Sequence, residues 1–495
     1  MFLIIFITAI FAFFLHQLYW RRRNLPPGPI PWPLFGNLYE FSKHPPGYQA
    51  FLDCHKKYGP VFTFWMGSDP AVFITDHELL KEAFVRDGDT FNEKFIYENF
   101  NEPFRGGNFG VFDANGETWK THRRFALHVF RDFGIGKDLM EQKILLETEE
   151  IIKSFAKATG DFSVQEDFDL AVGSIINQVL FGYSFRNEKE PEFRQLKSVL
   201  NELICYLGST EAIFTLTVSK TLAKLLNPNY FKKMKKYREK LMSFYESQIE
   251  KHSEEIDFDL EENKDYVEAF LKEQKKREAA GDFESFSKIQ LQNMCFDLWV
   301  AGSDTTTNTM SFMILYALHN PDMQKKLHEE LDRVIGSRRQ VSMSDKNDLP
   351  FLTAFINETQ RLANLVPINF PRQIKKDVVL QGHWIPSGTT IVHQISAIFY
   401  DDKVFPDHQK FNPYRFLDNE GQLKKVDELI PFSIGKRQCL GEGLARMELF
   451  LFTANIFNHF EFLPGTEGLP SLVKDFSSVV RPKKYTCRVL KRDIP

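Results

Sequence analysis

The chain has 495 residues, carries a formal net charge of −4 and contains 50 phenylalanines but only five cysteines. Cys54, Cys205, Cys295, Cys439 and Cys487 lie far apart with no CxxC pair, which excludes a disulfide framework and a structural zinc site and fits a reducing, cytosol-facing compartment. The mild acidity gives no basis for a nucleic-acid partner, and no internal repeat or long Gly/Ser linker divides the chain, so one large domain is expected.

Residues 1–20 (MFLIIFITAIFAFFLHQLYW) are almost wholly apolar and are followed at once by Arg21, Arg22 and Arg23. About twenty apolar residues can cross a bilayer, and a basic cluster directly after them tends to stay on the cytoplasmic side. A cleaved leader would carry its charge before the apolar run and a small-residue site after it; neither is visible. Residues 1–20 are therefore expected to form a transmembrane signal anchor. Residues 21–37 follow as a basic stop-transfer and hinge, because prolines at 26, 27, 29, 31 and 33 forbid helix and stiffen the chain. Residues 38–495 are left for the folded domain.

Residues 61–75 hold two β-rich runs around Gly67, Ser68, Asp69 and Pro70, the pattern of a hairpin. Trp119 and Arg123 stand at i and i+4, on one face of a helix; taken alone, the pair reads as a surface cation–π contact. Residues 95–112 contain a single arginine, Arg105. Residues 196–227 are apolar and irregular, and the basic run Lys232, Lys233, Lys235, Lys236 and Arg238 then suits an amphipathic helix, either solvated or laid on lipid headgroups. Residues 253–282 carry dense charge of both signs and are expected as exposed helix and loop.

Residues 287–320 give the longest helical pattern, with Ala301-Gly302-Ser303-Asp304-Thr305-Thr306-Thr307 at its centre. A glycine, an acid and three β-branched alcohols cost roughly several tenths of a kcal/mol per position in a helix. A long buried helix should not carry them without a use: small residues leave room beside it, and an acid next to a hydroxyl can relay protons. The plainer account is a threonine-rich helix whose hydroxyls bond back to its own carbonyls. Glu358 and Arg361 lie three apart in a predicted helix, ahead of Arg415; a lone pair of this kind is usually a surface ion pair worth under about 1 kcal/mol. Residues 377–392 supply strands punctuated by Gly382, Pro386 and Gly388.

Residues 431–450, PFSIGKRQCLGEGLARMELF, place Cys439 where a glycine-containing loop runs into a helix. Leu444, Ala445, Met447, Leu449 and Phe450 give that helix an apolar face, while Glu442, Arg446 and Glu448 supply charge. A helix N-terminus favours a thiolate. Gly435 and Gly441 allow a flat, bulky partner to approach, Arg437 can offer a permanent cation to its acidic groups, and Phe432 can pack on the sulfur or on a ring. These features suit haem with a cysteine axial ligand; the bland alternative is a buried structural cysteine. The spacing Phe432, Gly435, Arg437, Cys439, Gly441 resembles the haem-binding signature of the cytochrome P450 family, the haem-thiolate monooxygenases. The resemblance extends along nearly the whole chain and is nearest to the microsomal class that handles lipids and foreign compounds.

The resemblance implies a mainly α fold with small β-sheets, an α+β architecture in which residues 38–495 form the haem-thiolate catalytic domain. It implies haem b as cofactor, with Cys439 as iron ligand and Trp119, Arg123, Arg372 and Arg437 directed at the propionates. The family's additional arginine in the loop before Trp119 has no match at its offset, so Arg105 receives no assignment. Glu358, Arg361 and Arg415 would brace the haem side of the fold; Thr305 would hydrogen-bond dioxygen and Asp304 would help admit protons. Alignment of motifs places Phe109, Phe112, Leu203, Phe296, Val300, Ala301, Val366, Ile368 and Phe476 around a nonpolar pocket suited to a fatty acid, eicosanoid, steroid or xenobiotic, although each also serves as ordinary core. No GxGxxG or other nicotinamide or flavin fingerprint is present, so electrons must arrive from a separate protein. The microsomal class uses a membrane-bound NADPH-dependent flavoprotein reductase, sometimes with cytochrome b5, and Lys120, Arg124, Lys424, Lys425 and Lys436 are candidates for its docking patch. The implied location is the endoplasmic reticulum membrane, single-pass, with the domain facing the cytosol. Two other readings are a reductase-independent haem-thiolate isomerase or dehydratase, which has no need of the Asp304–Thr305 pair, and a catalytically silent haem or lipid carrier.

Overall fold

A computed structural model describes residues 2–33, 35–43, 47–134, 138–367, 369–476 and 479–493. The longer helices, in chain order, are α1 (Phe2–Leu18), α2 (Gly116–Asp132), α3 (Asp138–Phe155), α4 (Gln165–Phe181), α5 (Glu190–Leu207), α6 (Thr210–Thr217), α7 (Lys220–Leu226), α8 (Pro228–Glu255), α9 (Tyr266–Ala279), α10 (Lys288–His319), α11 (Pro321–Val334), α12 (Pro350–Ala363) and α13 (Glu442–His459). The strands are short: β1 (Val61–Met66), β2 (Asp69–Ile74), β3 (Glu93–Lys94), β4 (Arg372–Gln373), β5 (Val378–Leu380), β6 (His383–Ile385), β7 (Thr390–His393), β8 (Phe460–Pro464), β9 (Lys474–Phe476), β10 (Val480–Pro482) and β11 (Cys487–Lys491). A mainly helical α+β fold is thus observed, with the expected hairpin at β1 and β2.

Helix α10 is the axis. It is buried almost all round, its polar side chains included, with α4, α8, α11, α12 and α13 packed against it. Beside this core lies a five-stranded sheet in the order β1-β2-β7-β4-β3. In its last antiparallel pair Lys94 stands directly opposite Arg372. Two like charges opposed across strands destabilise a sheet unless an anion joins them.

Three regions differ from the sequence reading. Residues 196–227 are not irregular: α5, α6 and α7 follow in succession, started by a proline in the first turn of α5 and by the Ser209 side chain accepting from the Ala212 N–H at α6. The proline-rich segment is not a free spacer, because Pro26 and Pro27 carbonyls accept from the Thr63 hydroxyl and amide at 2.8 and 2.9 Å, laying it along β1. Arg21 also turns to the body of the protein, donating to the Ser68 carbonyl at 2.8 Å with its guanidinium 4.8 Å from the Trp65 ring centre. Among the described residues one helix is long and apolar enough to cross a membrane, and it is the N-terminal one.

Candidate functional site

The loop before α13 folds on itself through the Cys439 amide, which donates to the Phe432 carbonyl at 3.0 Å. Gly441 caps α13, so Cys439 stands ahead of the helix rather than in its first turn, and the Gly441 N–H points at the sulfur. Cys439 is exposed, yet protein surrounds it closely enough that burial pushes its thiol up, with the Gly441 N–H opposing. Both facts fit a sulfur facing internal space rather than bulk water, with burial working against the charge that the Gly441 N–H favours. The two glycines divide their work. A Cβ at Gly435, whose φ is +82°, would stand 2.1 Å from the Phe84 carbonyl oxygen, so this glycine admits the neighbouring chain; a Cβ at Gly441 would meet nothing within 4 Å, leaving the sulfur side open. Phe432 carries the Arg446 guanidinium 4.8 Å from its ring centre.

Four cations converge beside this loop. Arg437 donates to the carbonyls of Asn92 and Ala114, each at 2.8 Å, and to Asn115 Oδ1 at 2.7 Å, and it stacks 4.1 Å from the Trp119 ring centre. Arg123 donates to the Gln438 carbonyl at 2.6 Å, tying α2 to the cysteine loop. Arg372 is buried and its Nε has no partner. Lys94, also buried, holds its ammonium 3.7 and 4.3 Å from the ring centres of Phe112 and Phe370. Burial lowers all four, Arg372 to about 10 and Arg437 to about 9; Lys94 falls well below the lysine range, with Arg372 adding to the effect. Among the described residues none of the four meets a carboxylate at ion-pair distance. Clustered buried cations without counter-ions are costly, so the site calls for an anionic group of its own.

Helix α10 supplies the opposite wall. It runs unbroken through 301–307, and Ala301 is exposed in the middle of an otherwise buried helix, with Val300, Gly302, Asp304 and Thr305 half-buried around it. The Thr305 hydroxyl bonds back to the Ala301 carbonyl at 2.8 Å and Thr309 repeats the pattern on Thr305 at 2.9 Å. Asp304 is not a free acid. Its carboxylate pairs with Lys197 of α5, which also meets Asp169 of α4 at 2.9 Å. Burial opposes the charge on Lys197, but Asp304 and then Asp169 outweigh it and raise its pKa. From α13, Glu448 reaches Thr306; it is buried, and burial pushes its carboxyl up to about 8.

A cytochrome P450 family model matches residues 26–489. The chain belongs to the cytochrome P450 family. It is similar to "Probable cytochrome P450 CYP36A1" of Caenorhabditis elegans, 33% identical with 99% of both chains covered. It is also 34% identical to "Cytochrome P450 2H1" of Gallus gallus, covering 90% of this chain and 88% of that one, and 34% identical to "Cytochrome P450 2J5" of Mus musculus, covering 94% and 90%. As a P450 it is a haem-thiolate monooxygenase that uses O₂, a substrate and a redox partner. The residues present fit that cofactor: one open sulfur, and buried, unneutralised cations suited to two carboxylates.

The rest of the P450 site reading divides. The Glu358–Arg361 pair is buried completely, not superficial: Arg361 bonds Glu358 at 2.7 and 2.8 Å, and Arg415 adds a third contact at 3.2 Å. Phe109, Phe112 and Val366 are half-buried, and Phe112 meets Phe370 edge-to-face at 4.5 Å. Leu203 and Phe296, 1% and 5% exposed, belong to the main core. Ile368 lies outside the described residues, as does the side chain of Phe476. Arg105, left without a role, forms a buried ion triad with Asp113 and Asp297. Lys120, Arg124 and Lys436 line an open hollow of about 580 Å³ together with Trp119, Arg123, Leu127, His128 and Arg131, whereas Lys424 and Lys425 do not; Lys120, Lys425 and Lys436 each pair with a neighbouring carboxylate, Glu117, Asp427 and Asp89. Lys94, Lys197 and Phe370 escaped the sequence reading; none belongs to a motif, and only a lone charge inside an apolar run marks Glu448.

Proposed function

We propose that this P450 is anchored in the endoplasmic reticulum membrane by residues 1–20, faces the cytosol, and inserts one oxygen atom into a lipophilic small molecule such as a fatty acid, eicosanoid, steroid or xenobiotic, by hydroxylation or epoxidation. Electrons come from an NADPH-dependent flavoprotein reductase, with cytochrome b5 as a second donor. The observation that carries the reading is the open sulfur at Cys439 beside four cations, two of them buried (Lys94 and Arg372), that meet no carboxylate at ion-pair distance among the described residues. Its kinship with relatives named as P450s supports the same reading.

Cys439 would hold the iron through its sulfur, and Arg372, Arg437 and Lys94 would hold the cofactor's carboxylates, while Arg123 and Trp119 position the cysteine loop and Arg437. Haem bound through a thiolate supplies the redox centre at which dioxygen is activated. Phe112, Phe370, Ala301 and Val366 present an apolar surface that excludes water and orients a nonpolar substrate. The hydroxyl of Thr305 swings from the Ala301 carbonyl to donate a hydrogen bond on the open side of α10. Once Lys197 moves onto Asp169, the Asp304 carboxylate can take a proton from solvent and hand it to the Thr305 hydroxyl as that hydroxyl gives up its own, so proton entry is tied to the position of α5. Lys120, Arg124 and Lys436 dock the acidic face of the reductase.

The test uses the full-length protein loaded with haem. Reduced and exposed to carbon monoxide, it should show a thiolate-type Soret band that Cys439→Ala abolishes; an unchanged band in that variant ends the ligand assignment. NADPH oxidation with reductase and a lipid panel then reads substrate class. Consumption that yields only peroxide or water across the panel, with no product, would overturn the proposed substrates.

A further inference from the structure

The face of the five-stranded sheet that carries Lys94 and Arg372 carries one more polar side chain. Lys94 is directly opposite Arg372, and Arg372 is directly opposite Ile391 of β7, so all three side chains leave the sheet on one side. His393 stands two residues beyond Ile391 and so shares that side. It is 3% exposed and lies outside both the cysteine loop and the Trp119–Arg123 pair.

Its two ring nitrogens have different surroundings. Nε2 lies 2.8 Å from the Ser433 hydroxyl, whereas Nδ1 is buried with no partner. Arg372 Nε is a second buried nitrogen left unpaired on the same face. Buried polar nitrogens are costly to leave so, and two of them on one face call for an acceptor. The imidazole is also held in place: the Phe84 ring centre is 5.1 Å away, and the Phe84 carbonyl is the group that Gly435 admits beside the cysteine loop. Ser433 is a turn residue of that loop, at φ +64°, and the residue before it, Phe432, accepts from the Cys439 amide. A serine persists in the left-handed region only where its surroundings hold it, and His393 supplies a hold on its side chain.

Burial, with Arg372 and Lys94 adding to it, pushes the imidazole well below the usual histidine range, so His393 is neutral and has one proton to place. When the Ser433 hydroxyl donates to Nε2, that proton sits on Nδ1. The row of cations then gains a donor without a further positive charge.

We propose that His393 is a further cofactor-binding residue: Ser433 fixes its tautomer through Nε2, and Nδ1–H donates to an oxygen of the cofactor's carboxylates. The inference rests on the reading of Cys439 as haem ligand. It links β7 to the cysteine loop and to the cofactor's acidic edge through a single side chain.

The experiment compares the haem-loaded full chain with His393→Gln, His393→Asn and Ser433→Gly. Glutamine sets its amide as many bonds from Cα as Nε2 and keeps the reach to Ser433, with nothing at the place of Nδ1; asparagine does the reverse. Haem transfer to excess apomyoglobin and the propionate bending band of the resonance Raman spectrum are read for each. His393→Gln should release haem about tenfold faster than the parent and shift the band, the loss of one hydrogen bond to a charged acceptor. His393→Asn should release it within about threefold of the parent, with a smaller shift. The reverse order, or a band unmoved in both, would mean that His393 only braces the loop and overturns the assignment. Ser433→Gly suits a positive φ and serves even if neither histidine variant folds. It should quicken release by about threefold or more because the tautomer is no longer fixed, and release at the parent's rate overturns the proposal. A parent that takes up haem without a thiolate-type band for its carbon monoxide complex fails the Cys439 reading, while the Raman comparison still judges His393; a parent that takes up no haem overturns both.

Discussion

Replacing Glu358 by glutamine tests how the fold behind the cysteine loop is braced. Glu358 and Arg361 are both fully buried, and the carboxylate collects two bonds from Arg361, one from the Asn412 amide at 2.9 Å and one from Arg415 at 3.2 Å. Glutamine keeps the volume and one acceptor but leaves Arg361 with that acceptor, the carbonyls of Phe399, His408 and Lys410, and no neutralising charge. A buried charge stripped of its partner costs about 3–5 kcal/mol. Unfolding entropy of about 2.1 cal/mol/K per residue, over 495 residues, amounts to about 1 kcal/mol/K, so Glu358→Gln should lower the melting midpoint by about 3–5 °C. The shift is small only because the chain is long; at 25 °C the same loss multiplies the unfolded fraction by two to three and a half orders of magnitude, at about 1.4 kcal/mol per tenfold. Far-UV circular dichroism at one fixed scan rate reads it. The double variant Glu358→Leu, Arg361→Met should recover part of the loss, since neither charge is left alone. A midpoint within 1 °C of the parent for Glu358→Gln would mean that Arg361 is neutralised elsewhere, and the reasoning fails.

Burial holds the Glu448 carboxyl up to about 8, above the ordinary glutamate value near 4.3, so the folded state keeps a proton that the unfolded chain releases. Its contribution is fully present below about pH 4 and is lost as pH rises through 8; Glu448→Gln should therefore flatten the pH dependence of urea denaturation between pH 5 and 8, and equal slopes in the two proteins would refute this. Lys197→Met leaves Asp169 and Asp304 together without their cation and loosens α5 from α10. Product formed per NADPH should fall by roughly tenfold, the scale of 1.4 kcal/mol of lost transition-state positioning, with haem content unchanged; normal coupling removes the pair from proton delivery. Arg372→Gln should speed haem transfer to excess apomyoglobin by roughly ten- to a hundredfold, the worth of a charge-assisted hydrogen bond of about 1.5–3 kcal/mol, and an unaltered rate would leave Arg372 outside the cofactor site.

The cysteine loop, the Asp304–Thr305 pair and the Glu358–Arg361 pair were legible because each is local: a few residues at fixed spacing, on one loop or one face of one helix. Helix α10 was legible for the same reason, as a long pattern with an anomalous centre. The spacing could not tell that Asp304 is already paired, since Lys197 lies more than a hundred residues away on another helix. Nor could it tell that Glu448 is inside, because periodicity places a charge on a helix face without saying whether a second layer covers that face. Arg105 shows the same limit from the other side. Read by offset it had no assignment, yet folding places it between two carboxylates from different elements.

What the amino-acid order determined by itself is the chemistry on offer: which sulfur, which acid beside which hydroxyl, which apolar run long enough for a bilayer, and a helical frame to hold them. Tertiary structure alone decided which charges are neutralised and which are left wanting an anion, which put Lys94 opposite Arg372, Lys197 on Asp304 and Arg105 between Asp113 and Asp297. The reason is physical: propensity and periodicity act over a few residues, whereas the cost of burying a charge depends on everything that surrounds it, and those surroundings come from all over the chain.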